Sequence, residues 1–216
     1  MKSWVFLCII ITALFQPFHI QGIQAPPPRI QIDLWEHRLY VIQGSEVIVS
    51  YPVAVGKDQC PTPIGEWKVV HMSSDWGGGF GPRWMGLNVP WGQYGIHGTN
   101  RPYSIGRNAS HGYVRMKNSD VKDLYRMISI GTPVKIVGPI MGRDEYRPKR
   151  LVRGDRGSLV LLIQNRLHAA KYYQGTQDGI YGFDLEQAIK RYQKDHQLER
   201  TGQIRMEEYI RLGLIE

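Results

Sequence analysis

Cysteine is nearly absent: 216 residues hold two, Cys8 and Cys60. Cys8 lies in an apolar N-terminal run, so Cys60 is the one thiol of the exported portion expected below and no internal disulfide can form there. Without paired cysteines, zinc-ribbon and zinc-finger readings fall away. Long apolar runs are scarce too. Residues 4–15 form the one clear run, between Lys2 and Pro17, and it is short for a bilayer span of about 20 residues. It reads as a signal peptide over 1–22, cut near Gly22, which gives an exported protein that meets the membrane only in transit. Retention as an N-terminal anchor is the alternative. Acidic charge is in deficit, with 27 Lys and Arg against 19 Asp and Glu, a formal net charge of +8. Residues 23–150 carry 16 basic and 10 acidic side chains, so the excess sits in the first half. No RNP, helix-turn-helix or zinc spacing accompanies it. For an exported chain, anionic wall polymers suit this charge better than nucleic acid, and part of it is ordinary solvated surface.

What is present divides by period. After a proline-rich spacer over 23–28, residues 30–34, 38–43 and 46–55 alternate apolar and polar side chains between turn residues, which predicts strands; 65–72 predicts another. Residues 73–94 are dense in Gly and Trp and read as an irregular, cleft-shaping excursion. Residues 118–128 predict a helix, capped by Asn118 or Ser119, with Val121, Leu124, Tyr125 and Ile128 on its apolar face. Residues 134–137 return as a strand. A mostly-β domain with one helix is therefore expected over 29–138, then a linker over 139–150.

Beyond the linker the period changes to 3.6. Helices are predicted over 158–170, with Leu159, Leu162, Ile163 and Leu167 on one face, over 184–196, with an Asp184/Gln187 capping pair, and over 205–212. The pattern Leu151-x-x-Gly154-Asp155-x-Gly157, then Leu162-x-x-x-x-Leu167, Asp178-Gly179-Ile180-Tyr181-Gly182, Ala188-x-x-x-Tyr192-Gln193 and Leu198-x-x-x-Gly202, resembles the peptidoglycan-binding type 1 domain. The resemblance covers 151–213 and implies a small three-helix domain that binds glycan or stem peptides, with Asp178, Gly179 and Tyr181 as its candidate contacts. Its glycines and apolar residues also have a plain structural reading as turns and core.

In the first half, Thr62-Pro63-x-Gly65, Ile96-His97-Gly98-Thr99-Asn100, Ser110-His111-Gly112 and Arg115-Met116-x-Asn118 together resemble the YkuD-type L,D-transpeptidases, exported bacterial enzymes of the peptidoglycan. That resemblance implies a mostly-β sandwich or barrel with one helix, and 3-3 type acyl transfer between stem peptides that needs no metal or organic cofactor. It implies His97 as general base, His111 as the second histidine and the Gly112 backbone as an oxyanion donor. Arg115, Ser110, Asn100 and Thr99 become candidate substrate contacts, with Arg115 suited to a carboxylate or alternatively to pinning the loop. A secreted, cell-wall-associated protein with peptidoglycan as its partner follows from both resemblances.

The family's nucleophile is a cysteine, and at its position stands Tyr113. A phenol ionises near 10 and a thiol near 8.5, and the phenol oxygen lies farther from the backbone, so normal turnover is not expected. Three explanations stay open: a wall-binding pseudoenzyme, a recent one-base replacement of cysteine, or a substitute nucleophile, Cys60 or Tyr113 itself.

Overall fold

The computed structural model describes residues 25–74, 76–141 and 148–215. The expected signal peptide lies outside the described residues, as does half of the predicted linker, residues 142–147. Among the described residues no helix is long and apolar enough to cross a membrane.

Alternation of buried and half-exposed side chains sets the first strands, β1 (Arg29–Asp33), β2 (Arg38–Gln43) and β3 (Glu46–Pro52). β3 ends earlier than expected. Val53 and Ala54 break the ladder, and β4 (Val55–Gly56) turns away to pair with β8 (Asn108–Ser110) in a separate two-stranded sheet. β5 (Gly65–Ser73) is followed by a short 3-10 turn at Gly78–Phe80 and then by β6 (Trp84–Leu87). The segment read as irregular thus contains a strand. All four residues of β6 are buried, so it has no polar alternation to reveal it. β7 (Tyr94–His97), β9 (Val114–Arg115) and β10 (Pro133–Val137) complete one curled sheet in the order β3-β2-β1-β10-β5-β6-β7-β9. The mostly-β expectation is met in this form.

Helix α1 (Asn118–Met127) lays Val121 and Leu124 into a core shared with Ile30, Ile32, Val69, Met85, Ile96 and Ile136. Its cap differs from expectation: the N-cap position is Lys117, without a side-chain bond. Asn118 Oδ1 instead accepts from Thr99 N at 2.9 Å, and Ser119 Oγ donates to Asp120. The side chain read as a helix cap therefore anchors a loop of the site.

Three helices follow, α2 (Ser158–Ala169), α3 (Phe183–Asp195) and α4 (Met206–Arg211). α3 begins after Gly182 with no side-chain cap, so the Asp184/Gln187 pair does not act as one. α2 has two apolar faces rather than one. Val160, Ile163 and Leu167 enter the helical core, while Leu161 packs against the core of the first domain. Each long helix also buries a glutamine. Gln164 donates to Asp178 Oδ1 (2.9 Å) and the Ile180 carbonyl (3.2 Å) and accepts from Gly179 N (2.6 Å). Gln193 donates to Glu208 Oε1 (2.7 Å) and accepts from Gly202 N (2.8 Å). These amides hold the loops that the backbone leaves unpaired. Gln164→Leu keeps the volume but strands the Gly179 N–H and takes a donor from Asp178, while the Ile180 carbonyl keeps Gly182 N, and it should lower stability by about 2–4 kcal/mol. Urea unfolding beside wild type measures the loss; a change inside error would show that water replaces the amide at no cost.

The two domains touch directly. Ile64 N donates to Ser158 Oγ at 2.8 Å. Gly179 lies against the Trp91 ring, so closely that an added Cβ would come within 2.4 Å of it. Trp91 in turn meets Trp67 edge-on, with ring centroids 5.3 Å apart.

Candidate functional site

Pairing of β7 with β6 and β9 sets Trp84, His97 and Arg115 in one row across the sheet. His97 is buried. Its Nδ1 is hydrogen-bonded to the Gly98 carbonyl, which can only accept, so Nδ1 carries the proton. Nε2 then bears a lone pair, and it has no hydrogen-bond partner. Burial pushes the imidazole down to about 4, assisted by the charge of Arg115 and opposed by the Gly98 and Phe80 backbone. His97 is therefore neutral near pH 7, and its Nε2 lone pair is less basic than an ordinary imidazole's.

That depression has a stability consequence. Unfolded, the imidazole titrates near 6.5, and folded near 4. Between these values the unfolded chain binds more protons, so stability is full above about pH 6.5 and falls as pH drops toward 4. The whole contribution is about 3 kcal/mol. Replacing His97 with Asn should flatten the dependence of the thermal midpoint on pH across this window. An unchanged slope in the variant would assign the acid sensitivity to other groups.

The strand-to-turn segment after β8 presents the rest. Ser110 Oγ donates to the Tyr113 carbonyl at 2.6 Å and accepts from Gly112 N at 3.1 Å, which closes a tight turn. Gly112 has φ 101°, and an added Cβ would meet the Tyr94 ring at 2.8 Å, so glycine is required. The Gly112 N–H, expected to face an oxyanion, is engaged by Ser110 instead. Tyr113 is half-buried. Its ring centroid lies 5.7 Å from Trp84, 5.8 Å from Phe80, 5.8 Å from His97 and 6.3 Å from Tyr94. The phenol thus sits inside an aromatic enclosure.

Beside it opens a cavity of about 290 Å³, lined by Gly79, Phe80, His97, Thr99, Asn100, Arg101, His111, Tyr113 and Arg115. Of the candidate residues in this domain, His97, Thr99, Asn100, His111, Tyr113 and Arg115 come together at this cavity. Ser110 and Gly112 do not line it and instead close the turn that carries Tyr113. Thr99 also takes a hydrogen bond from Arg101 N at 3.0 Å. Arg115 Nη1 donates to the Ala109 carbonyl at 3.2 Å, and burial together with the nearby Arg101 lowers its guanidinium from its ordinary value. Cys60 does not line the cavity. Phe80 and Arg101 do, and sequence reasoning did not single them out. Phe80 follows three glycines in a loop with no periodicity, and Arg101 could have been found from its place one residue after the His97–Asn100 segment.

The three candidates in the helical domain are placed differently. Tyr181 is buried, donates to the Gly202 carbonyl, and is pushed up by burial. Asp178 Oδ1 accepts from Ile180 N and Gln164. Gly179 faces Trp91. A separate open cleft of about 440 Å³ on this domain is lined by Tyr173, Gln174, Gly175, Asp184, Gln187 and Arg191.

Comparison with known proteins gives two family matches. The L,D-transpeptidase catalytic domain (YkuD) model matches residues 27–136, and a peptidoglycan binding domain model matches 156–204. The chain is similar to a Bacillus licheniformis protein named as L,D-transpeptidase YkuD, at 40% identity over 124 residues, covering 56% of this chain and 74% of that one. Its Bacillus subtilis counterpart is 38% identical over 128 residues, covering 59% and 73%. An L,D-transpeptidase from Mycobacterium smegmatis superposes with TM-score 0.45 at 22% identity, over 53% of this chain and 59% of the solved one.

Proposed function

Because this chain belongs to the L,D-transpeptidase catalytic-domain family and carries a peptidoglycan binding domain behind it, we propose that it is an exported, wall-associated protein that binds peptidoglycan stem peptides without normal turnover. The family's chemistry, acyl transfer between stems to give 3-3 cross-links, needs a nucleophile at position 113. The observation that carries this reading is the Tyr113 ring, packed among Phe80, Trp84, His97 and Tyr94 where a small thiol would otherwise face the cavity. Removing the nucleophile from an assembled site costs on the order of 10⁴ to 10⁶ in rate, whereas the cavity walls that would contact a peptide remain. The net positive charge favours approach to an anionic wall.

Pelleting with purified sacculi tests the binding half, with DNA as the control for general polycation behaviour. Retention by sacculi, together with no release of cross-linked dimers from disaccharide tetrapeptide, is the expected result. Formation of 3-3 dimers by wild-type protein would overturn the claim of inactivity, and failure to pellet would overturn wall binding. A second reading, that Tyr113 replaces a cysteine in an otherwise working site, is favoured by the free lone pair on His97 Nε2.

A further inference from the structure

We infer that the open cleft on the helical domain, between helix α3 and the turn at residues 173–175, binds N-acetylated sugars of a glycan strand through Asp184, Gln187, Gln174 and Arg191. The inference rests on the wall-binding reading, and it specifies which component of the wall this domain takes and where.

The residues that the sequence pattern offers as contacts are used inside the fold. Tyr181 is buried, Asp178 is bonded to Ile180 N and Gln164, and Gly179 packs on Trp91. The cleft of about 440 Å³ is lined instead by Tyr173, Gln174, Gly175, Asp184, Gln187 and Arg191. Its volume lies within the range of about 300–1,000 Å³ in which small-ligand sites fall. Asp184 and Gln187, expected as a capping pair, do not cap α3, and their side chains form no hydrogen bond or ion pair. The same holds for the Gln174 amide. Three polar groups without protein partners thus border one cleft. Arg191, oriented by its bond to the Tyr172 carbonyl at 2.9 Å, keeps further N–H groups for a ligand.

Chemistry selects that ligand. Asp184, Gln187 and Arg191 stand at i, i+3 and i+7 on one face of α3. They cover about 10 Å along its axis, the length of a disaccharide. Carboxylate, guanidinium and primary amides are planar groups that pair with neighbouring sugar hydroxyls two at a time, and an amide also matches the donor and acceptor of an acetamido group. Tyr173 contributes its ring, because its hydroxyl already donates to the Thr176 carbonyl at 2.9 Å and accepts from Gln164 at 3.3 Å. Gly175 lets the turn pass close to that ring, since an added Cβ would fall 2.6 Å from the phenol oxygen. One aspartate and one arginine leave the cleft without net charge, so it gives an anionic polymer no preferred seat. A stem peptide is disfavoured for another reason. The backbone groups of α3 are spent within the helix, so an extended peptide finds no main-chain ladder there.

The test is an NMR titration of the full chain, beside pelleting with sacculi. The ligands are tetra-N-acetylchitotetraose, cellotetraose, which lacks acetamido groups, and a synthetic stem tetrapeptide. The acetylated tetrasaccharide should bind at least tenfold more tightly than cellotetraose. The double variant Asp184→Ala/Gln187→Ala should weaken it at least tenfold, the effect of two lost hydrogen bonds. Gln187→Ala alone, which lies beyond the first turn of α3, should weaken it about threefold or more. Both variants should keep a thermal midpoint close to wild type, because Asp184 is exposed and neither side chain is bonded. Equal binding of the two saccharides would overturn the choice of acetamido sugars. Tetrasaccharide binding unchanged in both variants would place it outside the cleft and overturn the inference. Binding of the stem tetrapeptide alone, lost in the double variant, would give the cleft to peptide instead. No saccharide binding by protein that still pellets with sacculi would overturn the inference and leave wall binding standing. Saccharide binding without pelleting would keep the cleft and remove the wall reading.

Discussion

Wild-type protein incubated with a carbapenem should show no added mass, and Tyr113→Cys should take up one equivalent. The β-lactam carbonyl reports a competent nucleophile, because thiolate attack opens the ring and leaves the drug esterified on sulfur. Three features argue for gain in the variant. His97 Nε2 offers an unprotonated nitrogen in the row beside the turn. Ser110 holds both ends of the turn at residues 112 and 113. The cavity of about 290 Å³ beside position 113 gives the drug room to approach. Substitution also deletes a half-buried ring from the aromatic enclosure, at a cost below the roughly 3–5 kcal/mol of a fully buried aromatic, so near-ultraviolet dichroism should accompany the mass measurement. A folded variant that stays unmodified would mean that the Gly112 N–H, engaged by Ser110, is missed as an oxyanion donor. An adduct on wild-type protein would instead point to Cys60 or to the phenol, and Cys60→Ala would separate them.

Gly179→Ala should cost about 2–4 kcal/mol and loosen the two domains together. Gly179 has φ 70°, so any side chain incurs about 1 kcal/mol of strain. The added Cβ also falls within 2.4 Å of the Trp91 ring, which is itself held against Trp67, so the clash is not relieved by a simple rotation. Thermal unfolding with Trp91→Ala and the double variant partitions the loss. The clash should vanish in the Trp91→Ala background and the strain should persist, which gives a coupling of 1 kcal/mol or more between residues in different domains. Strict additivity would show that Gly179 and Trp91 are not energetically coupled.

These expectations locate what was readable in the chain. Period two over residues 30–43 and period 3.6 over 184–196 survive in the structure because each element buries one face, and burial writes itself into spacing. Strand β6 was not readable, since an element covered on both faces has no alternation to show. Gln164 and Gln193 were not readable either, because a glutamine in an amphipathic helix looks like surface until the loop it must satisfy is known.

Sequence alone determined the family pattern, the two histidines, the glycine turn and the presence of a tyrosine at position 113, because those depend on residue identity at fixed spacing. Only the tertiary structure decided that Arg101 joins Arg115 across a cavity and that Asn118 anchors the Thr99 loop rather than a helix. It alone set Gly179 against Trp91 in the other domain. These are contacts between segments 14 to 88 positions apart in the chain, and their energies depend on distance and burial, which no local pattern records.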